Sequence, residues 1–260
     1  MTNTEPAVLM EKKEGIARIT INRPERRNAL SKEVLDGLAA ALEDARKDSS
    51  IKVVTTTGAG DIAYSAGMDV KELLHRHDNP GSSEAPSVSL TIREFPKVTI
   101  AIVNGYALGA GLSLMNAHDL AIASEENSRF GLPEIIRSFV PHGAVVPLCR
   151  NTHLKWAMEM LLTGKNWDAQ RAYQSGLINR VVPHAQLQAE GLALAQEIAQ
   201  WDPITLKYCK KAAYSSLEGA TNRQALELSA LWQGEEMRMN PRTSQGLRQF
   251  VSGKGIKANK

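Results

Sequence analysis

Cysteine is almost missing from this 260-residue chain: Cys149 and Cys209 stand alone, with no CxxC and no neighbouring His pair. That is the pattern of reduced thiols in the cytosol, and it offers no disulfide framework. An excess of charge is missing too. The net charge is +3, from 31 Lys and Arg against 28 Asp and Glu. It is too small and too scattered to argue for nucleic acid or an anionic membrane as partner. No apolar run approaches the ~20 residues that cross a bilayer. The opening MTNTEPAVLMEKKEG has no basic-then-apolar leader. Nucleotide loops are lacking as well: there is no GxxxxGK[ST], and GYALGAG does not have the GxGxxG spacing. With 43% apolar and 23% charged residues, the expectation is a cytoplasmic globular protein without membrane or nucleic-acid partners.

Along the chain, IARITIN (16–22) alternates as a strand and is broken by Pro24. Ser31 reads as the cap of a helix whose apolar residues Val34, Leu35, Leu38, Ala41, Leu42 and Ala45 recur at helical spacing. IKVVTTTGAG reads as a buried strand closing in a Gly turn, and a helix is expected from about Asp69. The polar, Pro- and Gly-rich HRHDNPGSSEAPSVS (75–89) reads as a mobile loop. KVTIAIVNG and DLAIAS are further strands, with a helix between them that opens at ALGAG and runs to about Ala117. An irregular stretch with Pro141 and Pro147 follows FGLPE, then helices near 154–162 and 169–175 and a short strand in INRVV. From Gln186 onward the pattern is helical, interrupted at Trp201-Asp202-Pro203. Strands alternating with helices, followed by helices alone, predict an α/β core over 1–200 and a helical region over 201–260, an arrangement that often serves as an oligomer interface.

One local design occurs twice. Strand, glycine turn and helix start appear in TTTGAGDIAYSAGMDVKEL and again in IAIVNGYALGAGLSL. A helix N-terminus carries unpaired N–H groups and a partial positive charge. Small residues let a ligand reach that backbone. Two such amides aimed at one point would stabilise a developing negative oxygen. Either loop alone is better explained by glycines that permit a tight turn and close helix–strand packing.

The pair at this separation, together with NRPERRNAL before it and SRFGLPE and LLTGKNWDAQRAYQSGLINRVVP after it, resembles the crotonase (enoyl-CoA hydratase/isomerase) superfamily from about Gly15 to at least Val182. The resemblance implies a spiral of ββα units with a helical C-terminal oligomerisation region, and a homotrimer or hexamer. Its substrate would be an acyl-CoA thioester of the kind met in fatty-acid metabolism. Coenzyme A would enter as part of the substrate, with no separate cofactor and no metal. It also implies an oxyanion hole formed by the backbone N–H groups of Met68 and Ala110, the second where most relatives have Gly. Ala66, Asp69, Val70 and Lys71 match the segment that contacts CoA. Lys71 reads as well as a solvated helix charge, and Asp69 reads as a helix cap rather than a catalyst. Phe250 and Lys254 match loosely the positions that reach a neighbouring subunit's CoA.

Family hydratases use two Glu residues. The second is present as Glu134; at the first position stands Ser113. A hydroxyl can orient water but cannot match a carboxylate as a base. Glu134 is therefore expected to carry acid/base catalysis, alone or shared, with Ser113 assisting. The leading expectation is hydration of a 2-enoyl-CoA by a lyase of the hydratase or hydratase-lyase type. The alternatives are an enoyl-CoA isomerase, which needs one carboxylate, and a non-catalytic CoA-binding paralogue. Tyr208 and Tyr214 are weak candidates for the tyrosine that the hydratase-lyase branch uses. His142 reads as a loop residue more readily than as a base. His75, His77 and Asp78 read as solvated, His118 as structural, and Trp156, Trp167, Trp201 and Trp232 as packing residues.

Overall fold

The computed structural model describes residues 5–70, 72, 87–138, 140–217, 231, 234–235 and 239–240. The first strand, β1 (Val8–Lys13), was not expected. It pairs antiparallel with β2 (Ile16–Ile21) across a two-residue turn in which Glu14 and Gly15 both have positive φ, 51° and 79°. That is the turn geometry whose twist suits a tight hairpin. β1 escaped detection because it is an edge strand of mostly exposed, charged residues, the composition that protects edges.

Six strands form the larger sheet in the order β1-β2-β3-β5-β7-β10, parallel from β2 onward. β3 (Val53–Gly58) and β5 (Val98–Val103) are buried along their whole length, and β7 (Leu120–Ser124) nearly so. This is why they read as continuous apolar or Thr-rich runs rather than as alternation. β10 is Arg180–Val182. Four short strands, none expected from the sequence, form a second sheet: β4 (Ala63–Ser65), β6 (Tyr106–Leu108), β8 (Arg129–Gly131) and β9 (Trp167–Asp168), in that order. β4, β6 and β8 each follow directly on a strand of the larger sheet. The chain therefore spirals, one long strand and one short strand per turn, as the expected ββα units require. Three residues leave no room for a period to be recognised.

Helix α1 (Lys32–Lys47) is capped by Ser31, whose Oγ accepts the Val34 N–H, and it buries Val34, Leu38, Ala41, Leu42 and Ala45. A short α2 (Val88–Arg93), capped by Ser87, occupies the end of the stretch read as a loop; residues 75–86 of that stretch lie outside those described. α3 is Ala110–Asn116. Where an irregular segment was expected, α4 (His142–Asn151) is helical through Pro147. The proline removes one N–H that would otherwise reach the carbonyl of Gly143. The helix persists because Ala144 and Leu148 are buried in the core, at 3% and 0% exposure. α5 (Leu154–Thr163), α6 (Ala169–Gln174) and α7 (Leu187–Ala199) complete the first of two compact units, Met1–Ala199; Gly191 of α7 lies against the Ile102 side chain of β5. Trp156 and Trp167 meet edge to face at 5.7 Å, whereas Trp201, expected to pack, is 51% exposed.

The second unit, Gln200–Lys260, contains α8 (Pro203–Ser215). Its Asp202 cap accepts from the Ile204 and Thr205 amides at 3.0 and 3.1 Å and also from Asn240 Nδ2 at 2.9 Å.

The turn after β3 leaves no space for a side chain. A Cβ at Gly58 would fall on the Ala63 carbonyl and lie 2.7 Å from that of Tyr64. Gly58→Ala should cost about 1–3 kcal/mol of unfolding free energy, the range for overpacking, seen as a lower urea midpoint at unchanged m-value.

Candidate active site

β4 runs into Ala66-Gly67-Met68, and Leu30 clamps that segment from one side. The Leu30 N–H donates to the Gly67 carbonyl at 2.8 Å and the Asp69 N–H donates to the Leu30 carbonyl at 3.1 Å, a parallel bridge between Leu30 and Met68. In such a bridge the middle residue's own N–H and C=O point away from the partner. Met68 thus turns its amide away from Leu30. Gly67 adopts φ +102°, open to glycine and closed to most side chains.

From the other side comes the turn β6–Gly109–α3. Gly109 has φ +54° and donates its N–H to the Gly131 carbonyl at 2.9 Å. Ala110 is the first residue of α3, so its N–H has no acceptor within the helix. The two segments meet backbone to backbone. A Cβ at Gly67 would stand 2.9 Å from the Leu108 carbonyl and 3.5 Å from the Ala110 nitrogen, and one at Gly111 would fall on the Ser65 carbonyl. Among the described residues neither the Met68 nor the Ala110 amide donates to a backbone carbonyl.

Glu134 follows β8 in the 3-10 turn Pro133–Arg137. It is 9% exposed, and its Oε2 has no hydrogen-bond partner among the described residues. Its Oε1 lies 2.8 Å from where a Cβ on Gly109 would be, so the carboxyl group lies against the very turn that presents Ala110. Burial raises its pKa above the ordinary carboxylate value. Its own backbone amide and the positive charge of Arg137 oppose that rise only in part. Ser113, 7% exposed, points its Oγ at the Gly109 carbonyl at 3.4 Å, a weak contact, and that Oγ is 4.0 Å from a Cβ position on Gly143. Glu134 and Ser113 therefore flank Gly109 from two sides.

Outside the Met68 segment lies an open cleft of about 550 Å³ lined by Arg23, Arg26, Ala29, Ala66, Met68, Asp69 and Val70. Ala66, Asp69 and Val70, singled out in the sequence, line it together. Lys71, Phe250 and Lys254 lie outside the described residues, as do His75, His77 and Asp78. Sequence reasoning missed the two arginines. Arg23 Nη1 reaches Asp69 Oδ2 at 3.4 Å and the Ala29 carbonyl at 3.3 Å, while Arg26 is exposed. Their signal was the Arg-rich RPERRN itself. Its loop is folded back by Asn28, wholly buried at φ +54°, whose Nδ2 donates to the carbonyls of Ala59 and Ala63 at 3.0 and 2.6 Å. His142 opens α4. Tyr208 donates to Met239 Sδ at 3.4 Å within the second unit. Among the described residues no three His, Cys, Asp or Glu side chains gather as a metal site would require, and no helix is long and apolar enough to cross a membrane.

Residues 11–254 match the family model for enoyl-CoA hydratase/isomerase. A 2,3-dehydroadipyl-CoA hydratase from Escherichia coli K12 is 35% identical over 215 residues, covering 82% of this chain and 84% of that protein. A hydroxycinnamoyl-CoA hydratase-lyase from Pseudomonas fluorescens is 33% identical, covering 96% and 94%. The crystal structure of an enoyl-CoA hydratase from Mycobacterium smegmatis superposes with a TM-score of 0.87 at 30% identity, covering 97% of this chain and 99% of the other.

The burial of Glu134 has a stability consequence with a definite sign. A carboxyl whose folded pKa is raised favours the folded state fully only below its ordinary value of 4.5, and that contribution is lost as pH rises through the folded pKa. Glu134→Gln removes the ionisation. Its thermal midpoint should exceed that of the wild type at about pH 8, with the gap closing as pH falls toward the ordinary carboxylate range; a scan of midpoint against pH measures this.

Proposed function

Because the chain belongs to the enoyl-CoA hydratase/isomerase family, we propose that it binds an acyl-CoA thioester with the carbonyl oxygen between the Met68 and Ala110 amides and hydrates a 2-enoyl group with Glu134 as acid and base. The observation that carries this reading is the backbone contact of the two loops, with Gly67 against the Ala110 nitrogen. Fixed N–H dipoles at that point oppose no charge in the ground state and gain strength as the oxygen becomes an enolate.

The chemistry then follows from the groups in place. Glu134 as carboxylate takes a proton from water while the water oxygen bonds to the β-carbon. The double-bond electrons move to the thioester oxygen, where the amide pair holds them. The protonated Glu134 then returns its proton to the α-carbon as the enolate collapses. One water is consumed and the carboxylate is regenerated. A pKa raised by burial brings the group closer to the working pH, which favours both transfers. Ser113, beside the same turn, orients the water or a substrate oxygen through its hydroxyl.

CoA lies along the open cleft, with Ala66, Asp69 and Val70 beside it and Lys71 next in the chain. Arg23 and Arg26 supply the positive charge its phosphates need; Arg23 shares that charge with Asp69. CoA arrives as part of the substrate, and no separate cofactor enters the reaction. A cytoplasmic homotrimer or hexamer is the proposed assembly, in keeping with exposed apolar side chains at Ile136, Val140, Leu154 and Leu162.

A second reading, enoyl-CoA isomerisation, is favoured by Ser113 standing where a carboxylate would be needed for a two-acid hydration: Glu134 alone can carry a proton from one carbon to another. Offering crotonyl-CoA, a 3-enoyl-CoA and an aromatic enoyl-CoA separates the readings. Hydration of a 2-enoyl-CoA is expected, with Glu134→Gln lowering turnover by about 10²–10⁴-fold and Ser113→Ala lowering it less. Isomerisation without hydration would establish the second reading, and binding without turnover of any thioester would make the protein a non-catalytic CoA-binding paralogue. Arg26→Ala should raise KM about tenfold at unchanged kcat, as loss of a phosphate contact made equally in ground and transition state does, and added salt should shrink the difference.

A further inference from the structure

Behind the two loops lies a buried hydrogen-bond chain that the reaction does not touch. Tyr64 of β4, Thr56 of β3 and His118, just past α3, are 0%, 1% and 6% exposed. Thr56 Oγ1 is 2.7 Å from the Tyr64 hydroxyl and 2.9 Å from His118 Nε2, and His118 Nδ1 is 2.9 Å from the Leu114 carbonyl. The direction of every bond follows from one end. A carbonyl only accepts, so His118 Nδ1 carries a proton. In the neutral ring Nε2 is then an acceptor and takes the Thr56 O–H, which leaves the Thr56 oxygen to accept from Tyr64. Burial likewise raises the Tyr64 pKa, so the phenol stays protonated and remains a donor.

The placement of these three groups is what gives the chain a use. Tyr64 lies four residues before Met68, in the strand that delivers it. Ser65, next to Tyr64, touches Gly111 in the first turn of α3 and accepts the Gly67 N–H on its Oγ at 3.3 Å. His118 binds the carbonyl of Leu114 in the last turn of the same helix, whose first residue is Ala110. α3 is only seven residues long, about 10 Å, so a shift at one end is carried to the other. The Thr56 hydroxyl is thus bonded at once to the strand that carries one amide and, through His118, to the helix that carries the other. We infer that Tyr64, Thr56 and His118 are positioning residues that set the separation and aim of the Met68 and Ala110 amides, with the Thr56 hydroxyl as their common joint. This rests on the thioester reading of that amide pair and extends it to residues no substrate reaches.

Hydrogen-bond donors at a thioester carbonyl weaken its C=O bond, so the infrared band of acetyl-CoA labelled with ¹³C at that carbonyl reports the pair directly. The band of the wild-type complex should lie below that of free acetyl-CoA. In Thr56→Val it should move back toward the free position while Kd stays within about threefold; in Thr56→Ser, which keeps the hydroxyl, it should stay where the wild type has it. Tyr64→Phe, which keeps the ring and loses only the donor, should give an intermediate band and serves if Thr56→Val does not fold. A wild-type band in folded Thr56→Val or Tyr64→Phe, with only a lowered thermal midpoint, would overturn the inference and leave the chain a core hydrogen-bond network. An unshifted band in the wild type itself would overturn the amide-pair reading, and the inference with it.

Discussion

The structure turns on a contact made by main chain against main chain: Gly67 against the Leu108 carbonyl and the Ala110 nitrogen, and Gly111 against the Ser65 carbonyl. Two main-chain segments from different turns of the spiral come this close because each contact has a glycine on one side of it. Such proximity brings helix-end and bridge amides to one place, and these are donors with little freedom to reorient. Leu30 and the Gly131 carbonyl hold the two segments from outside, through the bridge to Met68 and the bond from the Gly109 N–H.

The two sheets divide that work. The larger sheet, parallel from β2 onward, supplies rigidity through its central strands; β3, β5 and β7, buried almost along their whole length, set the spacing of successive spiral turns. The smaller sheet of two- and three-residue strands is where each turn reverses, and β4, β6 and β8 deliver Met68, Ala110 and Glu134 to the same neighbourhood. Because β4, β6 and β8 are parallel neighbours, the residues that follow them leave the sheet on the same side. Leu30, from the chain entering α1, closes the group by bridging Met68. The carboxyl group of Glu134 sits buried in this corner, one oxygen without a partner among the described residues. That is costly for a carboxylate and favours its protonated form.

Much of this was legible residue by residue. The alternation of Ile16–Ile21, the helical spacing from Val34 to Ala45, the Ser31 cap and the unbroken runs of β3 and β5 are local patterns, and each became the element it predicted. β1 and the short strands were not legible, since a charged edge and a three-residue ladder have no period of their own. The helix through Pro147 went against local propensity because burial of Ala144 and Leu148 outweighs one lost hydrogen bond. Arg23 and Arg26 stood in plain view in RPERRN, but nothing local says that the loop folds back through Asn28 to face Ala66 and Asp69.

Local pattern alone was enough to place β2, β3, β5, β7 and α1 and to show that two turns are built of small residues; the matching of Glu134 and Ser113 to carboxylate positions came from resemblance to the family. Only the tertiary structure decided that those turns touch, that Glu134 is buried against Gly109, and that Thr56 is shared between Tyr64 and a histidine 62 residues away. The reason is range. Periodicity, caps and turn residues record how a segment relates to its own neighbours and which of its faces is apolar, whereas the meeting of two backbones is settled by the packing of sheets and helices that lie between them in the chain.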